Sequence, residues 1–274
     1  MSSYENRVAL VTGAGSGLGR ALARELLRLQ CHVALADVDE HRLGEAMADL
    51  SGAGPLVTAH VLDVSSPLDW ERVREEVKRR HRRLDLLINN AGISVSAPFA
   101  QATADLFERV MEVNFRGAVL GCRTMLPLLE RETGAQIVPR AQIVNVASSF
   151  AWLGYPGKTA YAASKGALRA FSESLRHDLA PRVCVTLLYP GPLRTAIIRD
   201  GVSETRAKSE AEESFLERRG LDPAVAARIA LHRLRANPAR IVIGFDYRAV
   251  DWMVRVAPGA ASRVMAWVAR RNGF

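Results

Sequence analysis

Tyr161 and Lys165 bracket the run Tyr161-Ala162-Ala163-Ser164-Lys165. On a helix, residues four apart share one face. A free phenol holds its proton up to a pKa of about 10, too high for acid–base work at neutral pH. A neighbouring ammonium favours the phenolate and lowers that value. Ser148 closes an apolar run upstream, where its hydroxyl could meet a substrate oxygen. Asn114 falls inside a helical pattern, a poor place for asparagine on propensity. Each residue also has a plainer reading: an exposed helical pair, a strand-end cap, a helix cap or kink.

A second group of residues suits a nucleotide. Thr12-Gly13-Ala14-Gly15-Ser16-Gly17-Leu18-Gly19 follows a β-branched run and opens a helical pattern. Glycines there let the backbone turn tightly and approach a pyrophosphate, and the helix N-terminus offers free N–H groups. The spacing is GxxxGxG rather than GxGxxG, and no Gly-Lys-Ser/Thr follows. Asp37 ends the next strand pattern, where a carboxylate can accept from the adenosine ribose hydroxyls and repel a 2′-phosphate. That favours NAD(H), while nearby Arg42 leaves NADP(H) open. Asp63-Val64 could meet the adenine amino group. Asn90-Ala91-Gly92, after Asn89, has small residues to admit the cofactor and asparagines able to bind backbone across strands. Any of these pieces alone is also ordinary turn chemistry.

The elements that position these residues follow from periodicity. Strands are expected at 8–14, 33–37, 57–64, 84–92, 142–148, 183–191 and 240–244. Helices are expected at 17–29, 66–80, 105–130 (breaking near Pro127) and 159–180, with another opening at Asp222-Pro223. This alternation implies an α/β fold: one doubly wound, parallel seven-stranded sheet with helices on both faces. Ligands then bind beyond the carboxyl ends of the strands, where the motifs fall. AQIV occurs at 135–138 and again at 141–144, too short for a repeat, and the first copy reads as an inserted loop.

The chain has 274 residues, 49% hydrophobic, which suits one large domain. Cys31, Cys122 and Cys184 have no metal-ligand spacing and read as reduced thiols of a cytoplasmic protein. No signal peptide and no transmembrane run is expected. The net charge is +8, and its densest cluster, Lys78 to Arg83, reads as cations ending a helix rather than a nucleic-acid site.

Together these motifs resemble the short-chain dehydrogenase/reductase family: TGxxxGxG at 12–19, NNAG at 89–92, Asn114, Ser148, YxxxK at 161–165 and Pro190-Gly191, in order over roughly residues 6–245. The resemblance implies a single-domain Rossmann fold, assembled as a dimer or tetramer. It implies Tyr161 as acid for carbonyl reduction and base for alcohol oxidation. Lys165 would lower the Tyr161 pKa and bind the nicotinamide ribose, Ser148 would polarise the carbonyl, and Asn114 would hold a water relaying protons. Gly13, Ser16, Gly17, Leu18 and Gly19 would cradle the cofactor, and Pro190, Gly191 and Thr195 would surround its nicotinamide.

A mobile lid is expected within 193–220, with a plain surface helix as the alternative. Ser94, Val95, Ser149, Phe150, Trp152, Tyr155 and Leu193 are expected to line the substrate pocket. They are largely apolar, pointing to a hydrophobic, uncharged alcohol or ketone, steroid-like in size. Residues 246–274 form an amphipathic extension, resembling a bacterial subset with broad specificity for secondary alcohols. It packs as core, covers a pocket, or rests on a membrane surface. Two other functions compete with this one: a catalytically silent cofactor-binding regulator, which can lose the acid–base residues that this chain retains, and an epimerase or dehydratase of the extended type, which uses the same Tyr-Lys pair on a generally longer chain.

Overall fold

The computed structural model describes residues 4–130, 140–195, 202–203 and 206–271. In chain order the strands are β1 (Val8–Thr12), β2 (His32–Asp37), β3 (Val57–Val61), β4 (Leu86–Asn89), β5 (Val95–Ser96), β6 (Ala141–Val146), β7 (Val183–Pro190), β8 (Val202–Ser203) and β9 (Arg240–Ile243). The α-helices are α1 (Gly17–Arg28), α2 (Glu40–Asp49), α3 (Pro67–His81), α4 (Ala104–Met111), α5 (Gly117–Leu129), α6 (Thr159–Leu179), α7 (Arg206–Arg219), α8 (Pro223–Leu234), α9 (Phe245–Val256) and α10 (Pro258–Arg271).

Seven strands form one sheet in the order β3-β2-β1-β4-β6-β7-β9, and every pairing in it is parallel. The period of two along each strand divides the core. In β1, Ala9 and Val11 join a cluster with Leu18, Leu22 and Leu26 of α1 and Leu231 of α8. Val8 and Leu10 point into the opposite cluster, with Trp70 of α3, Met125 of α5 and, at its edge, Phe171 of α6. Both faces are therefore covered, as crossover connections require. Chain order reverses between β1 and β4, so a crevice opens beyond the carboxyl ends of these strands.

The structure differs from the sequence reading in several places. Helix α2 was not anticipated. It carries only Leu43 and Ala46 as buried residues, too thin a stripe to read as a period, and Asp39 caps it by accepting from Arg42 N at 3.1 Å. The helix expected at 105–130 is two helices joined by one π-turn at Glu112–Arg116. Pro127 lies inside α5 without ending it, because near a C-terminus only one ladder bond is forfeited. The short strands β5 and β8 pair with each other outside the main sheet. Most strands end a few residues short of the expected boundaries, where the loops carrying the motifs begin.

Residues 206–219 of the expected lid are helical, in keeping with the surface-helix alternative. Residues 196–201 and 204–205, and the first AQIV copy, lie outside the described residues. Lys78 to His81 occupy the last turn of α3. Asp222 caps α8, accepting from Ala224 N at 2.7 Å. The three cysteines are free, two of them buried. Among the described residues no helix is long and apolar enough to cross a membrane.

Candidate active site

The glycine turn is shaped by contacts that only glycine permits. Gly13 and Gly17 have φ of +63° and +51°, a region closed to most side chains. A Cβ on Gly19 would lie 2.1 Å from the Gly13 carbonyl oxygen, and one on Gly13 would lie 2.9 Å from Ala91 Cα. A Cβ on Gly17 would lie 3.1 Å from Thr195 Cγ2, so the loop after β7 lies against the turn. Ser16 precedes α1 in extended conformation and leaves the first N–H groups of the helix uncapped by its side chain. Leu18 packs down into the core.

Asn90 ties the fourth strand to the first. Its Nδ2 donates to Thr12 O at 2.9 Å, while Thr12 Oγ1 accepts from the Asn90 and Ala91 amides at 3.0 Å each. The asparagine thus bonds backbone across strands, and Thr12 is a partner the sequence did not single out. At the tip of β2, Asp37 Oδ2 accepts from Gly15 N at 2.9 Å. Arg42 stands beside Gly15, with its guanidinium paired to Asp39 at 3.2 Å. Asp63 Oδ1 accepts from the amide and hydroxyl of Ser65. Burial opposes ionisation of Asp63, but the two Ser65 hydrogen bonds and the Arg109 charge together hold the carboxyl below its ordinary range. Val64 is buried beneath this turn.

Tyr161, Lys165 and Ser148 converge from α6 and the end of β6. Ser148 hydrogen-bonds Tyr161. Lys165 Nζ lies 5.8 Å from the centre of the Tyr161 ring and donates to Val146 O at 2.9 Å. A Cβ on Gly92 would meet Asn114 Oδ1 at 3.0 Å and Lys165 Nζ at 3.4 Å, so the NNAG turn abuts both side chains. Asn114 sits in the π-turn, which swings its amide onto the neighbouring loop. Its Oδ1 accepts from Ile93 N at 2.8 Å, and its Nδ2 donates to Ile93 O and Ser164 Oγ. A mid-helix asparagine is therefore accommodated by widening the helix. A small cavity of ≈ 10 Å³, room for about one water, lies behind, with Thr12, Asn89, Asn114 and Lys165 in its lining.

One electrostatic expectation is corrected. Lys165 was expected to bring the Tyr161 pKa down. Burial instead raises it, and only the Ser148 hydrogen bond works the other way. Burial also lowers Lys165, to about 8. The cause is geometric: both groups have left water, and the ammonium is bonded to the Val146 carbonyl rather than to the phenol.

A buried polar chain sets the rotation of α6. Asn89 Nδ2 donates to Asn145 Oδ1 at 2.8 Å, and Asn145 Nδ2 donates to Ser172 Oγ at 2.8 Å. Ser172 is bonded in turn to Leu168 O. The sequence reading missed Asn145 and Ser172. An asparagine between Val144 and Val146 in a buried strand was the available signal.

The expected substrate residues separate into two groups. Phe150 meets Tyr161 edge-on at 6.1 Å and lies 5.8 Å from the Tyr155 ring. Ser149 is buried beside them, and Ser94, before β5, accepts from Lys158 Nζ at 3.4 Å. Trp152 instead stacks on Tyr189 at 4.6 Å, and Leu193 is packed in the core cluster of α1 and α8. Beyond β7, Gly191 N donates to Ile243 O at 3.0 Å, fixing the Pro190-Gly191 loop.

Residues 7–206 match the protein-family profile described as short chain dehydrogenase. The chain belongs to this family. SadH of Mycobacterium tuberculosis, classed by its name as an oxidoreductase, is 31% identical over 97% of this chain and 96% of its own length. Cyclopentanol dehydrogenase of Comamonas testosteroni is 32% identical over 76% of this chain and 82% of its own. A short-chain dehydrogenase/reductase from Burkholderia phymatum, solved in complex with NAD, superposes with a TM-score of 0.82 at 29% identity, covering 93% of this chain and 94% of that one. The protein is thus an oxidoreductase of the short-chain dehydrogenase family, and its single α/β domain has that family's parallel sheet.

Proposed function

We propose that the protein interconverts a hydrophobic secondary alcohol and its ketone with a nicotinamide cofactor. The observation that carries this reading is the convergence of Tyr161, Ser148 and Lys165 beside the crevice above the glycine turn. The turn fits such a cofactor: side chains at Gly13, Gly17 or Gly19 would collide with neighbouring protein atoms and spoil the tight turn, and the uncapped start of α1 suits a pyrophosphate. Gly13, Ser16, Gly17, Leu18 and Gly19 would hold that group; Asp37, Asp63, Val64 and the Asn90–Gly92 turn would hold the adenosine half; Pro190, Gly191, Thr195 and Lys165 would hold the nicotinamide half. When bound, the cofactor supplies or accepts the hydride.

The residues of the chain handle the proton. Burial keeps the Tyr161 phenol protonated in the protein alone, the state that carbonyl reduction requires. Tyr161 Oη gives that proton to the carbonyl oxygen as the alcohol forms, and Ser148 Oγ orients the same oxygen. Phe150, edge-on to the phenol, shields it from water. Lys165 would pass a replacement proton inward through a water held by Asn114 in the cavity behind. Asp37 is the basis for NAD(H) over NADP(H), since a carboxylate at the tip of β2 repels a 2′-phosphate, and the Arg42 charge is already paired to Asp39. Cyclopentanol dehydrogenase as a relative supports an alcohol substrate without a charged group.

The test is a spectrophotometric screen of cyclic, aromatic and steroidal alcohols and ketones with NAD(H) and NADP(H). The reading expects turnover of uncharged hydrophobic compounds, faster with NAD(H). Preference for short hydroxy acids or sugar phosphates would overturn the substrate class. Cofactor binding without any turnover would favour the regulator.

A further inference from the structure

We propose that Arg240 and Asp251 are positioning residues for the loop that follows Ser148, and that holding this loop is a task of helix α9. The inference rests on the carbonyl-reduction reading above. Arg240 is the first residue of β9, and its guanidinium carbon lies 5.7 Å from the centre of the Trp152 ring and 5.6 Å from that of Tyr189. The two rings stand 4.6 Å apart. One cation therefore contacts both rings of a tilted aromatic pair, an arrangement that strengthens as water is excluded.

Trp152 lies in the loop that follows β6, and Tyr189 near the end of β7. Trp152 ends the single helical turn Ser149–Ala151, which Ser148 Oγ caps by accepting from Phe150 N at 3.3 Å. The same turn carries Phe150 against Tyr161. Tyr189 precedes Pro190 and Gly191, whose loop is fixed to Ile243 of β9. A shift of Trp152 thus moves Ser148 and Phe150 together, on the substrate side of Tyr161.

Arg240 needs an anchor, because a long side chain at a strand start otherwise turns outward to water. Asp251 of α9 supplies it through an ion pair with the guanidinium. The Asp251 side chain is 14% exposed and that of Arg240 34%, so solvent screens this pair less than a surface one. Asp251 is the link by which α9 reaches the site: it holds Arg240, Arg240 holds the rings, and the rings hold the loop.

The test uses the full-length protein with NADH and cyclopentanone as the probe substrate. Asp251→Asn and Arg240→Met are expected to raise KM for cyclopentanone about fivefold, the scale of one lost partly buried cation–π contact. In both, kcat stays within about twofold and the NADH Kd is unchanged, because uniform substrate positioning is lost rather than chemistry. Asp251→Glu restores the wild-type KM. A second readout needs no substrate: Asp251→Asn red-shifts tryptophan emission and increases its quenching by acrylamide, and a Trp152→Phe background abolishes both changes. Unchanged KM in Asp251→Asn and Arg240→Met, with wild-type turnover intact, would overturn the proposal. So would a KM rise that Asp251→Glu does not correct. If the wild type leaves every ketone unreduced, the carbonyl-reduction reading fails by itself. The fluorescence arm then decides whether Asp251 holds the loop, and no change at Trp152 refutes it.

Discussion

Replacing Lys165 with methionine is expected to stabilise the cofactor-free protein at neutral pH while removing its turnover. The Lys165 side chain is buried, and burial brings its pKa from the ordinary 10.5 to about 8. The direction decides the sign. The unfolded chain binds this proton more tightly than the folded one, so the buried charge destabilises the fold below pH 8. That cost disappears as pH rises from the folded to the unfolded value. At about 1.4 kcal/mol for each pKa unit, the full cost below pH 8 is about 3 kcal/mol. Methionine keeps much of the stem and carries no charge, but it forfeits the 2.9 Å bond to Val146 O, worth about 1–2 kcal/mol. The variant should therefore be more stable than wild type by about 1–2 kcal/mol at pH 7. It should be less stable by a similar amount near pH 10.5. Urea unfolding of both proteins across pH 7 to 10.5 measures the difference, in which titration of the other groups cancels. A variant less stable at pH 7, by an amount that does not change with pH, would refute the reasoning.

Three further outcomes follow from particular contacts. Gly19→Ala sets a methyl group 2.1 Å from the Gly13 carbonyl, so NADH affinity should fall by more than about tenfold, as a cradle lost to overpacking implies; fluorescence titration measures it. Asn145→Ala strips partners from Asn89 and Ser172 in the buried chain. It should cost about 3 kcal/mol in urea unfolding, and a loss under about 0.5 kcal/mol would remove that chain from the account of α6. Asp37→Ala removes the carboxylate at the tip of β2 and should raise NADPH affinity relative to NADH about tenfold or more, the scale of one unfavourable charge contact; an unchanged ratio of the two Kd values would show that Asp37 does not select the cofactor.

The fold was legible where burial is one-dimensional. A run such as Val8 to Thr12 packs on both faces of a sheet, and its composition says so whatever the partners are. The glycine turn was legible because backbone geometry restricts residue type directly, as at Gly13 and Gly17. Helix α2 was not legible, since its outer position asks for only two buried side chains. The π-turn at Asn114 was visible only as an unsuitable residue in a helix; what it bonds, Ile93, lies on another element. The Tyr161 shift is likewise a three-dimensional quantity. Four residues of helix place Lys165 on the correct face, but burial and the Val146 carbonyl determine what the ammonium does there. Trp152 shows the same limit, because its partners Tyr189 and Arg240 arrive from β7 and β9.

The most direct measurement is turnover of Tyr161→Phe alongside its affinity for NADH. The substitution deletes one oxygen and leaves the ring against Phe150. The account predicts that ketone reduction falls by about a thousandfold or more, the scale of a lost general acid, while NADH binds as in wild type. Near-normal reduction by that variant would contradict it.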